Sequence, residues 1–239
     1  MQTVEDTEID EEVTTEPLPH VAGVKTLTAS VEFNGETYTD TKEVEIEALP
    51  CPCEQFVDMP EVGTPEHEAI DWAYTHAPYQ ITVGMDETHF GPDLIVTRAQ
   101  AMTFLWAAMD KPEPETQDSP FTDVKNGKWY CKAILWAVEN GITVGTGNNK
   151  FSPNKTCTQA EMLQFLYACF GKPEPTIENP YTNLGKKWYK QAAIWAYEMG
   201  IEQGENGEFD ANAPCTRATT VLYLYRALTG QPLPELPED

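Results

Sequence analysis

A block of about sixty residues is written three times in this chain, and no other feature constrains the fold as much. One short unit cannot bury its own apolar face, whereas three units together can. Each block opens with an aromatic residue, a spacer and Asp or Asn: Phe56-Val57-Asp58, Phe121-Thr122-Asp123 and Tyr181-Thr182-Asn183. A helical stretch follows, centred on Trp72, Trp136 and Trp195. A glycine turn and a phenylalanine come next, at Gly84 and Phe90, Gly145 and Phe151, Gly204 and Phe209. A second helix then starts at Thr97-Arg98-Ala99-Gln100, Thr158-Gln159-Ala160-Glu161 or Thr216-Arg217-Ala218-Thr219.

The second block shows the unit most clearly. Trp129, Ala133, Trp136, Ala137 and Asn140 follow the spacing of one helix face, and Gly141 is placed to end the helix in a left-handed conformation. Trp188, Ala192, Trp195, Ala196 and Gly200 match in the third block. The first block departs: Pro65 stands where the others have Trp129 and Trp188, and the turn His76–Gln80 is longer. The second helices carry their own stripes, such as Met162, Phe165, Leu166 and Cys169. Proline-rich connectors follow at 111–114, 172–175 and 231–234.

The formal net charge is −24, and residues 1–55 hold 14 acids against Lys25 and Lys42, a balance of −12. A field of that sign repels nucleic acid and anionic lipid, so an anionic ligand needs a local basic site. No apolar run approaches the ~20 residues that cross a bilayer, so membrane insertion is not expected. Met1 leads into an acidic stretch without the features of a signal peptide. The chain reads either as cytoplasmic or, the reading favoured here, as a piece of a longer secreted protein with its signal upstream. Residues 1–20 are acidic and expected to be disordered. Residues 21–50 are expected to form a β-hairpin around Asn34-Gly35, the end of a β-sandwich domain or a ribbon packed on the helical part. Leu49–Cys53 reads as a stiff linker.

Cys51-Pro52-Cys53 is too tight for the usual metal spacing, and no metal or cofactor is expected. Cys157 and Cys215 occupy the block position held by Val96, while Cys169 aligns with Ala108 and Ala227. They read as small buried apolar residues, with a disulfide from Cys51 or Cys53 left open. His67, His76 and His89 fall in the first block with no repeated partner, and no nucleophile, metalloprotease, phosphate-loop or dinucleotide motif occurs. The chain is not expected to be an enzyme.

The start of the second helix is where chemistry is most visible. Thr97 with Gln100, and Thr158 with Glu161, have capping-box spacing. Arg98 and Arg217 sit at the first helical position, where a cation opposes the helix dipole. A local rule broken twice in one place suggests a task. On one reading the guanidinium, the dipole and the helix amides form a carboxylate site. On the other, the arginines are solvated or paired with a neighbouring acid. Trp72, Trp136 and Trp195 read as core, whereas Trp129 and Trp188, beside Tyr130 and Tyr189, either join the core or reach a groove and stack on sugar. Asp58 and Asp123 are either ligand contacts or turn formers.

The ordered motifs Phe121-Thr122-Asp123, Trp129, Gly141-Ile142-Thr143-Val144-Gly145, Phe151-Ser152-Pro153 and Thr158-Gln159-Ala160-Glu161, with counterparts in the other blocks, resemble S-layer homology repeats. Three such repeats would cover residues 55–115, 116–176 and 177–232. The resemblance implies an all-α, pseudo-threefold bundle of three helix-loop-helix repeats, here preceded by the short β-hairpin. It implies grooves between repeats that hold an anionic cell-wall polysaccharide, typically one with pyruvylated N-acetylmannosamine. Carried over, the ligand contacts are Arg98 and Arg217, Asp58 and Asp123, and the glycine-turn backbone at Gly84, Gly145 and Gly204. Gln159 replaces the arginine in the second block, Asn183 replaces the acid in the third, and Pro65 removes an aromatic in the first. At most two competent grooves are therefore expected, on Arg98 and Arg217. The implied role is non-covalent anchoring of a surface protein to a bacterial wall or S-layer. The alternative is a protein-interaction or lattice module that contacts other surface proteins without binding glycan.

Overall fold

The computed structural model describes residues 8–17 and 22–230. The expectation of disorder for 1–7 and 18–20, and the connector at 231–234, lie outside the described residues. The chain divides into two compact units, 1–54 and 55–239. Among the described residues, three strands and six helices follow in order: β1 (Glu8–Thr15), β2 (Gly23–Phe33), β3 (Glu36–Ile46), α1 (Pro65–Thr75), α2 (Arg98–Ala108), α3 (Cys131–Glu139), α4 (Gln159–Cys169), α5 (Lys190–Glu198) and α6 (Arg217–Thr229).

This composition overturns the expected all-α class with a short hairpin. The first unit is a three-stranded antiparallel sheet in the order β1-β2-β3. The hairpin β2–β3 turns at Asn34 and Gly35, both in the left-handed region, as that dipeptide requires. Strand β1 lies in the segment expected to be disordered. It pairs with β2 in the register Ile9↔Ala29, Glu11↔Leu27, Val13↔Lys25. Counting acids hid this strand: its β-branched residues Ile9, Val13, Thr14 and Thr15 suit an extended edge. Asp10, Glu11 and Glu12 stay in water, and Glu11 accepts from Lys25 Nζ at 3.0 Å.

In the second unit the helix ends obey local rules. Thr64, Thr97, Thr158 and Thr216 cap α1, α2, α4 and α6 by accepting from the third amide of each helix. Both expected capping boxes are formed. Pro65 begins α1 at its first position, where the missing amide hydrogen costs nothing. Gly141 and Gly200 follow α3 and α5 with φ of 66° and 67°, the left-handed stop expected of them. The first block's longer turn contains a cis Ala77–Pro78 bond.

The packing unit differs from the sequence unit. Helix α2 packs on α3, α4 on α5, and α6 on α1, so the second helix of each block lies against the first helix of the next and the last pair closes a ring. Helices α2, α4 and α6 also touch one another. Their buried residues Met102, Leu105, Met162, Leu166, Val221 and Leu224 are sealed from solvent. Trp136 and Trp195 join the core, while Trp72 is half-buried against Tyr225, with ring centroids 5.5 Å apart. Each second helix depends on the next block for its apolar partner, so no single block can fold on the hydrophobic effect alone. No helix of the described residues is long and apolar enough to cross a membrane.

Candidate functional site

The opening Asp or Asn of each block works first on the backbone. Asp58 accepts the amides of Phe90 and Gly91 at 2.7 and 2.8 Å. Asp123 accepts those of Phe151 and Ser152, each at 2.9 Å. Asn183 accepts the Phe209 amide at 3.1 Å and donates back to the Phe209 carbonyl at 3.0 Å. The side chain thereby pins the far end of the glycine turn to the start of the block. The glycines fit the same arrangement. A Cβ on Gly145 would lie 2.4 Å from Lys150 O and 2.5 Å from Phe121 Cε1. At Gly84 the Phe56 ring would be 2.7 Å away, and at Gly204 the Glu208 carbonyl 2.1 Å. With φ between 65° and 85° at all three, each position needs glycine for conformation and for space.

Both arginines are sealed between blocks, with exposures of 3% for Arg98 and 4% for Arg217. Arg98 Nε donates to Phe151 O at 3.0 Å, and its guanidinium stacks over Phe151 and Phe165 at 4.8 and 5.1 Å. Its Nη1 meets Glu161 Oε1 at 3.1 Å, and Lys155 Nζ meets the same oxygen at 2.9 Å. Arg217 repeats the pattern: Nε donates to Phe90 O at 2.9 Å, Nη2 to Thr82 Oγ1 at 2.8 Å, and the group stacks over Phe90 and Phe104 at 4.7 and 5.4 Å. Among the described residues no carboxylate lies within ion-pair distance of Arg217. Burial lowers its pKa from the usual value, opposed by the charge of Asp58. The solvated reading of these arginines is therefore wrong, and the paired reading holds for Arg98.

The helix amides expected to receive a carboxylate are already used. In α2, Arg98 N donates to Lys155 O at 2.8 Å, Ala99 N to Pro153 O at 3.0 Å, and Gln100 N to Thr97 Oγ1 at 3.3 Å. In α6, Arg217 N and Ala218 N bond Leu94 O and Pro92 O at 2.9 and 3.0 Å. The bonds to Lys155, Pro153, Leu94 and Pro92 cross between blocks and were invisible to a reading of each helix start by itself.

Two clefts adjoin the ring. One of about 650 Å³ joins Arg98, the glycine turn 141–146 with Gly145, Lys155 and Glu161, Lys172, and Trp188. Three cations face one carboxylate there, a local excess of positive charge on a chain of net charge −24. Trp188 is 64% exposed and lines the same cleft as the turn. The other cleft, about 760 Å³, contains Gln159, Asn183, Lys187 and Gly204 together with Glu202, Glu205, Glu208 and Asp210. Four carboxylates against one lysine make it hostile to an anion. Asp58 and Arg217 converge instead on the Phe90 backbone, one at its amide and the other at its carbonyl, while Gly84 packs against the Phe56 ring. Trp129 is 60% exposed, edge-on to Tyr130, and Asp123 is engaged at the Phe151 amide. Lys155 escaped the repeat-based reading because it weighs what recurs, and Lys172, matched by Lys111 in the first block, was read as part of a proline connector. Leu94 and Ala213 carry the carbonyls equivalent to that of Lys155, so only one of the three blocks places a cation there.

Comparison with known proteins adds an independent observation. Residues 120–163 match the S-layer homology domain. The S-layer protein of Bacillus licheniformis is 25% identical over 174 residues, 70% of this chain and 20% of that protein. The surface-layer 125 kDa protein of Lysinibacillus sphaericus is 32% identical over 146 residues, 59% of this chain and 12% of the relative. The exoglucanase XynX of Acetivibrio thermocellus is 31% identical over 160 residues, 64% of this chain and 14% of that enzyme. The chain thus spans no more than a fifth of the length of these relatives, one an enzyme and two named for the surface layer.

Proposed function

We propose that this chain anchors a surface protein non-covalently to the bacterial cell wall by binding an anionic secondary polysaccharide, and that it does no catalysis itself. The S-layer homology match at 120–163 and the relatives named as surface-layer proteins support the surface location. We take the three blocks, 55–115, 116–176 and 177–232, as three tandem S-layer homology repeats related by pseudo-threefold symmetry, and the β sheet as the end of the β domain they carry.

The observation that carries the glycan reading is the cationic cleft with its exposed tryptophan. Lys155, Lys172 and Arg98 supply charge for a carboxylate such as a pyruvate ketal. Trp188 supplies a flat apolar face for a pyranose ring. The glycine turn at 141–146 supplies backbone groups for hydroxyls. Arg98 also holds Glu161, which lines the same cleft, by an ion pair. The Gln159 cleft, dominated by carboxylates, is left without anion. The arrangement around Arg217, with no carboxylate in ion-pair reach among the described residues, is the second place where the carry-over puts the polymer's acid group.

Lys172 and Trp188 are exposed, so they can be changed without disturbing the core. Calorimetric titration of the full chain with purified wall polysaccharide tests the proposal. Lys172→Ala should weaken binding by about tenfold, the loss of one charge-assisted contact, and Trp188→Ala by a similar factor. Removing the pyruvate ketals with mild acid should weaken the parent and leave little for Lys172→Ala to lose. Unchanged affinity in both variants would move the lattice-module reading to first place.

A further inference from the structure

The segments just ahead of α2, α4 and α6 meet in a three-way backbone junction. Val96 N donates to Cys215 O at 2.9 Å, Cys215 N to Cys157 O at 2.9 Å, and Cys157 N to Val96 O at 3.0 Å, so the three bonds close a ring. Adjacent residues are in antiparallel register, Thr158↔Pro214, Ile95↔Thr216 and Thr97↔Thr156, which puts Cys157 directly opposite Cys215. Val96, Cys157 and Cys215 each have 0% exposure. Cys157 Sγ donates to Thr158 O at 3.7 Å.

We propose that Cys157 and Cys215 are a disulfide-forming pair that locks this junction covalently. One backbone hydrogen bond joins the two residues, and directly opposed residues on antiparallel strands have Cα atoms about 4.5–5.5 Å apart. That lies inside the range of about 4.4–6.8 Å that a disulfide spans. Directly opposed side chains share one face of an antiparallel pair, and both thiols are sealed from solvent there, so the junction needs little rearrangement. Val96 shows that the third position is filled by an apolar group of similar size. Cys131 and Cys169 take no part: Cys131 Sγ bonds Asn126, and Cys169 sits at the far end of α4.

The oxidant is a small-molecule or protein disulfide. One thiolate attacks a sulfur of that disulfide, forming a mixed disulfide and expelling a thiolate that takes up the proton. The second cysteine, deprotonated, attacks the mixed disulfide and expels the other oxidant thiol. Two electrons leave the cysteine pair and reduce the oxidant to two thiols. Contact with Cys157, together with burial, pushes the Cys215 pKa up, so the native junction reacts slowly. The bond therefore forms while the ring is closing and resists reduction afterwards. It ties the second block to the third across a loop of about sixty residues, which constrains the unfolded chain strongly.

The test is refolding of the reduced full chain in a mixture of reduced and oxidised glutathione, followed by alkylation in guanidinium, digestion and mass spectrometry. The expected result is a linked peptide pair joining Cys157 to Cys215, with Cys131 and Cys169 alkylated. The oxidised chain should unfold about 10 °C above the reduced chain, a difference abolished in Cys157→Val and in Cys215→Val. Valine is the residue the chain already carries at 96, so these variants should fold. Recovery of both residues as alkylated thiols in chain with native helix content overturns the proposal, as does linkage of either to another cysteine. Chain isolated directly from an oxidising compartment gives the same readout without refolding.

Discussion

Replacing Arg98 by Ala should destabilise the helical unit by about 4 kcal/mol. The guanidinium is 3% exposed, and its hydrogen bond to the Phe151 carbonyl at 3.0 Å is charge-assisted, worth about 1.5–3 kcal/mol. Stacking over Phe151 and Phe165 at 4.8 and 5.1 Å adds about 1 kcal/mol each. Removal also leaves the Glu161 carboxylate, at 11% side-chain exposure, with Lys155 as its remaining ion-pair partner. Breaking a buried pair from one side costs about 3–5 kcal/mol in total, and these contributions overlap rather than add, hence about 4. For a domain of this size the melting temperature should fall by roughly 12 °C, read by far-UV circular dichroism of the full chain. A double-mutant cycle with Glu161→Gln should return a coupling of about 1–3 kcal/mol. A melting temperature within about 1 °C of the parent would refute the inter-block clasp and restore a solvated, ligand-only arginine. The same reasoning makes Arg98→Ala a poor probe of glycan affinity, because it damages the cleft floor before any ligand is added.

Three further outcomes follow from the same geometry. Gly145→Ala should cost about 3 kcal/mol in chemical unfolding, through a left-handed backbone and overpacking against Lys150 O and Phe121, while Gly127→Ala, with φ +80° and open space around it, should cost about 1 kcal/mol. Asp123→Ala should cost about 2–3 kcal/mol by stranding the Phe151 and Ser152 amides, and Asp123→Asn only about 1 kcal/mol, since Asn183 already makes one such bond to Phe209. The Asp86 carboxyl, drawn from its ordinary 3.8 down to about 2 chiefly by the Thr88 amide and then by His89, should keep its turn in place above the ordinary value and lose that support only as pH falls through about 2; a carboxyl titration midpoint by NMR at or above 3.8 would contradict this.

What could be read from the sequence was local. Capping boxes at Thr97 and Thr158, glycine stops at 141 and 200, and the Asn34-Gly35 turn all rest on chemistry within a few residues, and all are present. What could not be read was non-local. The pairing of α2 with α3 rather than α1 crosses a proline connector, and the bonds from Arg98 and Arg217 to Phe151 and Phe90 span 53 and 127 residues. Strand β1 was masked by its acids, which an edge strand tolerates because both faces meet water. Averaging over repeats hid Lys155, which has no lysine counterpart in the other blocks, and Lys172 lay in a connector read only for its prolines. The aspartates read as ligand contacts or turn formers bind backbone amides, and their part in ligand binding belongs to the proposal.

Sedimentation of the full chain with bacterial wall sacculi, before and after their secondary polysaccharide is stripped with hydrofluoric acid, tests the anchoring claim most directly. The account predicts co-sedimentation with intact sacculi that weakens as salt rises, vanishes on stripped sacculi and falls about tenfold for Lys172→Ala. Equal binding to intact and stripped sacculi, or none by a well-folded chain, would contradict it.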